Sequence, residues 1–123
     1  MSTRAVYGFR DQHGIHHVYV HHDGYPSGAA EKFSAVLKAK VAWPLPRFEA
    51  NEFAASFVAA NKVGSGSVRL TNGPEQHGDI EYYYIVYQPV PDSGPLYIEA
   101  YEVVDDNAKG KLFFKGELAD FIK

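Results

Sequence analysis

The stretch His16-His17-Val18-Tyr19-Val20-His21-His22-Asp23-Gly24-Tyr25-Pro26-Ser27 decides how this chain begins to fold. Its first half alternates apolar and polar residues with a period of two, which is typical of a β-strand with one buried face. Asp23-Gly24 breaks that strand, and Tyr25-Pro26 imposes an extended backbone because proline restricts the residue before it. Ser27 then stands where a side chain can accept an N–H of the first helical turn, so we interpret it as a helix N-cap.

A β-hairpin is predicted before this break. The preceding segment alternates in the same way, and Asp11-Gln12-His13-Gly14 is a turn that Gly14 closes. We pair Arg10 with Ile15, since this register gives both strands one apolar face. The same register brings Arg4 beside His21.

The rest of the chain predicts two helices followed by further strands. Trp43-Pro44-Leu45-Pro46 ends the first helix, because proline lacks an N–H donor. Strands and helices are grouped, which favours an α+β fold with a mainly antiparallel sheet. We therefore predict a single domain over residues 1–123: an N-terminal hairpin, two helices, then three or four strands in one sheet that the helices cover. The predicted helices are 28–42, 49–61 and 117–122, and the predicted later strands are 68–71, 79–87, 96–104 and 111–115.

Charge and composition argue against several function classes. The net charge is −3, and no basic stripe is visible, so we expect no nucleic-acid partner. The chain contains no cysteine, which excludes disulfides and thiolate metal sites. No apolar run reaches the roughly 18–20 residues that span a bilayer, and no secretory signal is visible. We expect a cytoplasmic protein with no membrane partner.

Two motifs carry a resemblance to known proteins. Ser2-Thr3-Arg4 and the later His21-His22-Asp23-Gly24-Tyr25-Pro26 resemble uncharacterised small proteins of phages and prophages. Those proteins begin with Ser-Thr-Arg and carry a His-x-Asp-Gly-Tyr-Pro motif after a short hairpin. The resemblance implies a mobile-element context, in which small proteins often bind and block host factors or defence signals.

The candidate ligand-binding site comprises Arg4, His21, Asp23, Tyr25 and Ser27. A guanidinium, an imidazole and the free N–H groups of a helix start suit an anion such as a phosphate or carboxylate. Turn chemistry offers an alternative, in which Asp23 simply pairs with Arg4 and Tyr25 packs beside the turn. His21 and Asp23 share a strand face and could share an ion, but a zinc site needs three or four converging ligands. We expect no metal and no cofactor.

These patterns favour a non-catalytic phage- or prophage-type accessory protein that binds a host macromolecule or a small anionic ligand. The alternative is a small hydrolase or metal-assisted enzyme that uses Arg4, His21 and Asp23. A tyrosine-rich set of strands predicts an aromatic sheet surface, on which a homodimer could form. That set consists of Tyr82, Tyr83, Tyr84, Tyr87, Tyr97 and Tyr101.

Overall fold

The computed structural model describes residues 3–39, 48–90 and 93–123. The predicted proline stop at residues 43–46 lies outside them. The strands are β1 (Ala5–Asp11), β2 (Gly14–Val20), β3 (Val68–Thr71), β4 (Tyr82–Tyr87), β5 (Tyr97–Val104) and β6 (Asn107–Glu117), and the helices are α1 (Pro26–Ala39), α2 (Ala50–Asn61) and α3 (Leu118–Ile122). A short 3₁₀ helix, Pro74–Gln76, lies between β3 and β4.

The six strands form one sheet in the order β3-β2-β1-β4-β5-β6. Every neighbouring pair is antiparallel except β1 and β4, which run parallel. The hairpin therefore lies in the middle of the sheet, with β3 on one side and β4 to β6 on the other. The prediction of an α+β fold with a mainly antiparallel sheet is confirmed.

The N-terminal hairpin has the predicted register. Arg10 lies opposite Ile15, and the pairing continues without a slip to Ala5 opposite Val20. Gly14 ends the turn with φ of 139°, in a region that favours glycine. The alternation of the two strands was sufficient to fix this pairing, because a slip by one residue would expose the apolar side chains.

The larger core lies between the sheet and the helices. Tyr7, Phe33, Phe57 and Tyr84 are fully buried there. The ring of Tyr7 lies 4.8 Å from that of Phe57 and 5.1 Å from that of Tyr84. Apolar residues on one face of β1 and β4 thus meet the apolar faces of both long helices, which is the arrangement that the sequence periodicity predicts.

A second, smaller core lies on the other side of the sheet. We call this side the distal face and define it by Val6, Tyr19, Tyr83 and Ile85, all of which are buried. The segment between β3 and β4 contributes Ile80 to this cluster. Val103 of β5 and Ala108 of β6 pack against it as well. The segment before β4 therefore covers part of the distal face.

Candidate functional site

The Asp-Gly-Tyr-Pro segment forms a tight connection between β2 and α1. Asp23 has a left-handed backbone with φ of 57°. The N–H of Gly24 donates to the Thr3 carbonyl at 2.9 Å, and the buried Tyr84 hydroxyl donates to the Gly24 carbonyl at 2.6 Å. A side chain on Gly24 would place its Cβ 2.7 Å from the Cβ of Ala5. This part of the motif therefore has a structural role, because only glycine fits against β1.

Helix α1 begins two residues earlier than predicted. Pro26 is its first residue, and the Ala29 N–H donates to the Tyr25 carbonyl at 2.9 Å. The N-cap position therefore belongs to Tyr25, and the N-cap role predicted for Ser27 is wrong. The fixed φ of proline suits the first helical position, which is the physical reason for the shift. Ser27 lies inside the first turn and lines a groove between α1 and α3.

Arg4 and His21 meet on the distal face, as the hairpin register predicts. The Nε–H of Arg4 donates to Nδ1 of His21 at 3.3 Å, and the Tyr19 hydroxyl lies 3.0 Å from the same nitrogen. Arg4 Nε also lies 3.1 Å from Oδ2 of Asp79. The carboxylate that pairs with Arg4 therefore comes from the loop before β4 and is not that of Asp23.

Asp23 and Tyr25 form a separate pair at the start of α1. The Asp23 carboxylate accepts a hydrogen bond from Tyr25 and raises the pKa of that phenol above its ordinary value. Tyr7 lies on the helix-covered face. Its pKa is raised mainly by burial and, to a smaller extent, by the same Asp23 carboxylate. The predicted site residues thus divide into two groups, with Arg4 and His21 on the distal face.

The distal-face group includes residues that the sequence did not single out. The guanidinium of Arg69 lies over the Tyr19 ring, 4.8 Å from its centroid. The imidazole of His77 stacks on the same ring at 4.3 Å, with 14° between the planes. Arg69 lies opposite Tyr19 in the β2–β3 pairing, so the alternation within β3 could have placed it on this face. We define the basic corner as the group Arg4, Tyr19, His21, His22, Arg69 and Asp79.

The basic corner holds His21 in its neutral form. An arginine N–H can only donate, so Nδ1 of His21 must accept, and the ring hydrogen of the neutral imidazole is on Nε2. Partial desolvation, followed by the charges of Arg4, His22 and Arg69, lowers the pKa of His21, whereas Asp79 opposes this effect. The cations near His21 therefore outweigh the Asp79 carboxylate in their effect on the imidazole, although the net charge of the whole chain is −3.

The other histidines of the N-terminal stretch are dispersed. His17 is half-buried, and its Nε2 lies 2.8 Å from the Tyr83 hydroxyl. Burial lowers the pKa of His17, and the carboxylate of Glu75 opposes this shift. His16 and His22 are exposed. Within residues 3–39, 48–90 and 93–123, no group of three or more His, Asp or Glu side chains is placed to hold a metal ion.

The tyrosines of the predicted aromatic surface point in both directions. Tyr82 and Tyr84 pack towards the helices, whereas Tyr83 belongs to the distal cluster. Further along the distal face, the Tyr101 hydroxyl donates to Oε1 of Glu99 at 2.6 Å. Burial and this carboxylate raise the pKa of Tyr101 to about 12. Arg10 lies over the Tyr87 ring at 4.6 Å, so much of this surface is already paired within the chain.

Comparison of the chain with protein-family models, curated proteins and solved structures finds no match. Among the described helices, none combines the length and the apolar character needed to cross a membrane.

Proposed function

We propose that this chain is a non-catalytic accessory protein of the phage or prophage type, whose basic corner binds an anionic group. That group belongs to a small ligand or to a host macromolecule. The mobile-element context is supported by the resemblance in the N-terminal motifs. The choice of surface is supported by the clustering of arginines and histidines around a single carboxylate.

The charge balance of the basic corner carries the proposal. The charged groups that act on neutral His21 include the guanidinium groups of Arg4 and Arg69, against the carboxylate of Asp79. Among these three side chains alone, two positive charges against one negative charge leave a surplus of one. In a chain with a net charge of −3, such a local surplus favours an anionic ligand at this place.

The charged side chains of the basic corner are accessible to solvent. The side chain of Arg4 is 31% exposed and that of Asp79 is 53% exposed. Arg69 is also exposed, and its guanidinium lies over the Tyr19 ring, 4.8 Å from the centroid. A planar guanidinium presents paired N–H donors, which suits the oxygens of a phosphate or carboxylate.

A titration with inorganic phosphate at constant ionic strength tests the proposal. We expect saturable shifts of the amide signals of β2 and β3 in NMR spectra. Arg69→Gln should weaken binding by about tenfold, because a charge-assisted hydrogen bond contributes about 1.5–3 kcal/mol. Arg10→Gln is the matched control, since the Arg10 guanidinium also lies over a tyrosine ring, at 4.6 Å. Absence of saturation, or an equal loss in both variants, would contradict the proposal.

The enzymatic alternative needs Arg4, His21 and Asp23 to act on one substrate. Arg4 contacts His21 and Asp79, whereas Asp23 is bonded to Tyr25, and this division supports binding over catalysis. A defined hydrolytic turnover that disappears in His21→Ala would instead support the enzyme.

A further inference from the structure

We propose that His21 takes up a proton when the basic corner binds its anion, and that the ligand is accordingly a phosphate-type dianion. This inference rests on the proposed function and assigns to the same site a ligand class and a dependence on pH. It is carried by the hydrogen bonds around the His21 imidazole and by the charges that surround it.

The hydrogen bonds of His21 allow two arrangements. In the present one, Nδ1 accepts from Arg4 Nε at 3.3 Å. A proton on Nδ1 would turn this nitrogen into a donor facing another donor, so the Arg4 contact must break. Asp79 already lies 3.1 Å from Arg4 Nε and can retain it. The Tyr19 hydroxyl, 3.0 Å from Nδ1, can change from donor to acceptor. For the protonated form, Asp79 is therefore already placed to pair with Arg4, and the Tyr19 hydroxyl is already placed to accept from Nδ1–H.

Without a bound anion, the charges around His21 oppose protonation of its imidazole. The groups that act on the imidazole are Arg4 from the start of β1, Arg69 from β3, the neighbouring His22 and the opposing Asp79. The ring of His22 lies edge-on, 4.7 Å from that of His21. Protonation of His21 raises the surplus of positive charge from one to two. An anion with two negative charges balances this surplus, whereas a monocarboxylate leaves it half-compensated.

Proton uptake and anion binding must strengthen each other by the same factor, because the coupling between two binding equilibria is reciprocal. Sulfate is a suitable probe, since it remains a dianion from pH 5.5 to 7.5. We expect sulfate to bind more tightly as the pH falls, by up to about tenfold per pH unit, the limit for one proton. We also expect saturating sulfate to raise the pKa of His21, as followed by the NMR signals of the imidazole. Acetate should bind more weakly at each pH.

Three variants test the role of the imidazole. His21→Asn keeps an acceptor near the position of Nδ1 but cannot take up the proton, so its sulfate affinity should change less with pH than that of the wild type. His16→Asn, on the exposed part of β2, is the matched control and should keep the slope of the wild type. Asp79→Asn removes the opposing carboxylate and should tighten sulfate binding about tenfold, as expected for the loss of one close like charge in a partly exposed site.

The outcomes separate this inference from the proposed function. Failure of the wild type to bind sulfate at any pH would contradict both. Sulfate binding whose affinity does not change with pH, or which has the same slope in His21→Asn, would overturn the proton uptake and leave the anion site standing. Equal affinities for acetate and sulfate would overturn the assignment of a dianion. The imidazole titration of the wild-type protein needs no variant, so the inference can be tested even if a substitution impairs folding.

Discussion

The hydroxyls of Tyr7 and Tyr84 are both buried but differ in their hydrogen bonding. Their rings stack at 5.1 Å on the helix-covered face. The Tyr84 hydroxyl donates to the Gly24 carbonyl at 2.6 Å. The Tyr7 hydroxyl is buried and has no hydrogen-bond partner in the part of the chain that the structure describes. A buried hydroxyl without a partner loses its interaction with water and gains nothing in return, so it destabilises the fold.

Removing these two hydroxyls should have opposite effects. We expect Tyr7→Phe to raise the free energy of unfolding by about 1 kcal/mol, because it removes an unpaired polar group without changing the ring. Tyr84→Phe should lower the free energy of unfolding by about 1–2 kcal/mol, because it leaves the Gly24 carbonyl without its donor. Urea denaturation with a shared slope measures both differences. A loss of stability in Tyr7→Phe would show that this hydroxyl has a partner in solution, such as an ordered water.

The start of α2 is capped by a residue from a distant turn. Oδ2 of Asp11 accepts the N–H of Ala50 at 2.9 Å, and its Oδ1 accepts the N–H of His13 at 2.9 Å. Partial desolvation opposes ionisation of Asp11, but the hydrogen bonds from Ala50 and His13 outweigh it and hold the pKa of the carboxyl below its ordinary value. One side chain thus closes the β1–β2 turn and joins the hairpin to α2.

Asp11→Ala should remove both contacts. We expect the free energy of unfolding to fall by about 1 kcal/mol at pH 7, the usual cost of losing a helix cap. The pKa of Asp11 is lower in the folded protein, so the stabilisation is present above the ordinary carboxyl pKa of about 4 and is lost as the pH falls through the folded value. The difference from the wild type should therefore shrink at pH 3. Asp106→Ala, in the exposed turn between β5 and β6, is the control and should change neither value.

Local sequence patterns predicted the individual strands and helices better than the contacts between residues that are distant in the sequence. The bounds of the third strand, Val68–Thr71, and the register of the hairpin both follow from short apolar alternations. The last strand is longer than predicted, because Asn107–Glu117 contains glycines and lysines that obscure its alternation. The cap by Asp11 joins residues 39 positions apart, so no local pattern could reveal it.

At the scale of the whole molecule, the parallel pairing of β1 with β4 determines which side chains meet at the basic corner. It places the segment before β4 beside the start of β1, where the Glu81 N–H donates to the Arg4 carbonyl at 2.9 Å. Asp79 thereby pairs with Arg4, although the two residues are far apart in the sequence. The sequence could predict that Arg4 and His21 meet, because they share a hairpin. It could not predict Asp79, since the order of distant strands leaves no local signal.

The same distal face should make the stability of the whole protein depend on pH. The pKa values of His17 and His21 are lowered in the folded state, by burial first and, for His21, by the nearby cations. The unfolded chain therefore binds more protons than the folded chain near pH 6, and stability should fall as the pH falls through the ordinary histidine range.

We expect the urea midpoint to be lower at pH 5.5 than at pH 7.5. His17→Gln should reduce that difference, because it removes one of the two groups, whereas His13→Gln in the exposed turn should not. An equal midpoint at both pH values would contradict the lowered pKa values. If the anion site is as proposed, 50 mM sulfate, compared with chloride at equal ionic strength, should restore more stability at pH 5.5 than at pH 7.5. Sulfate binds only the folded chain in this scheme and stabilises it most where His21 is protonated.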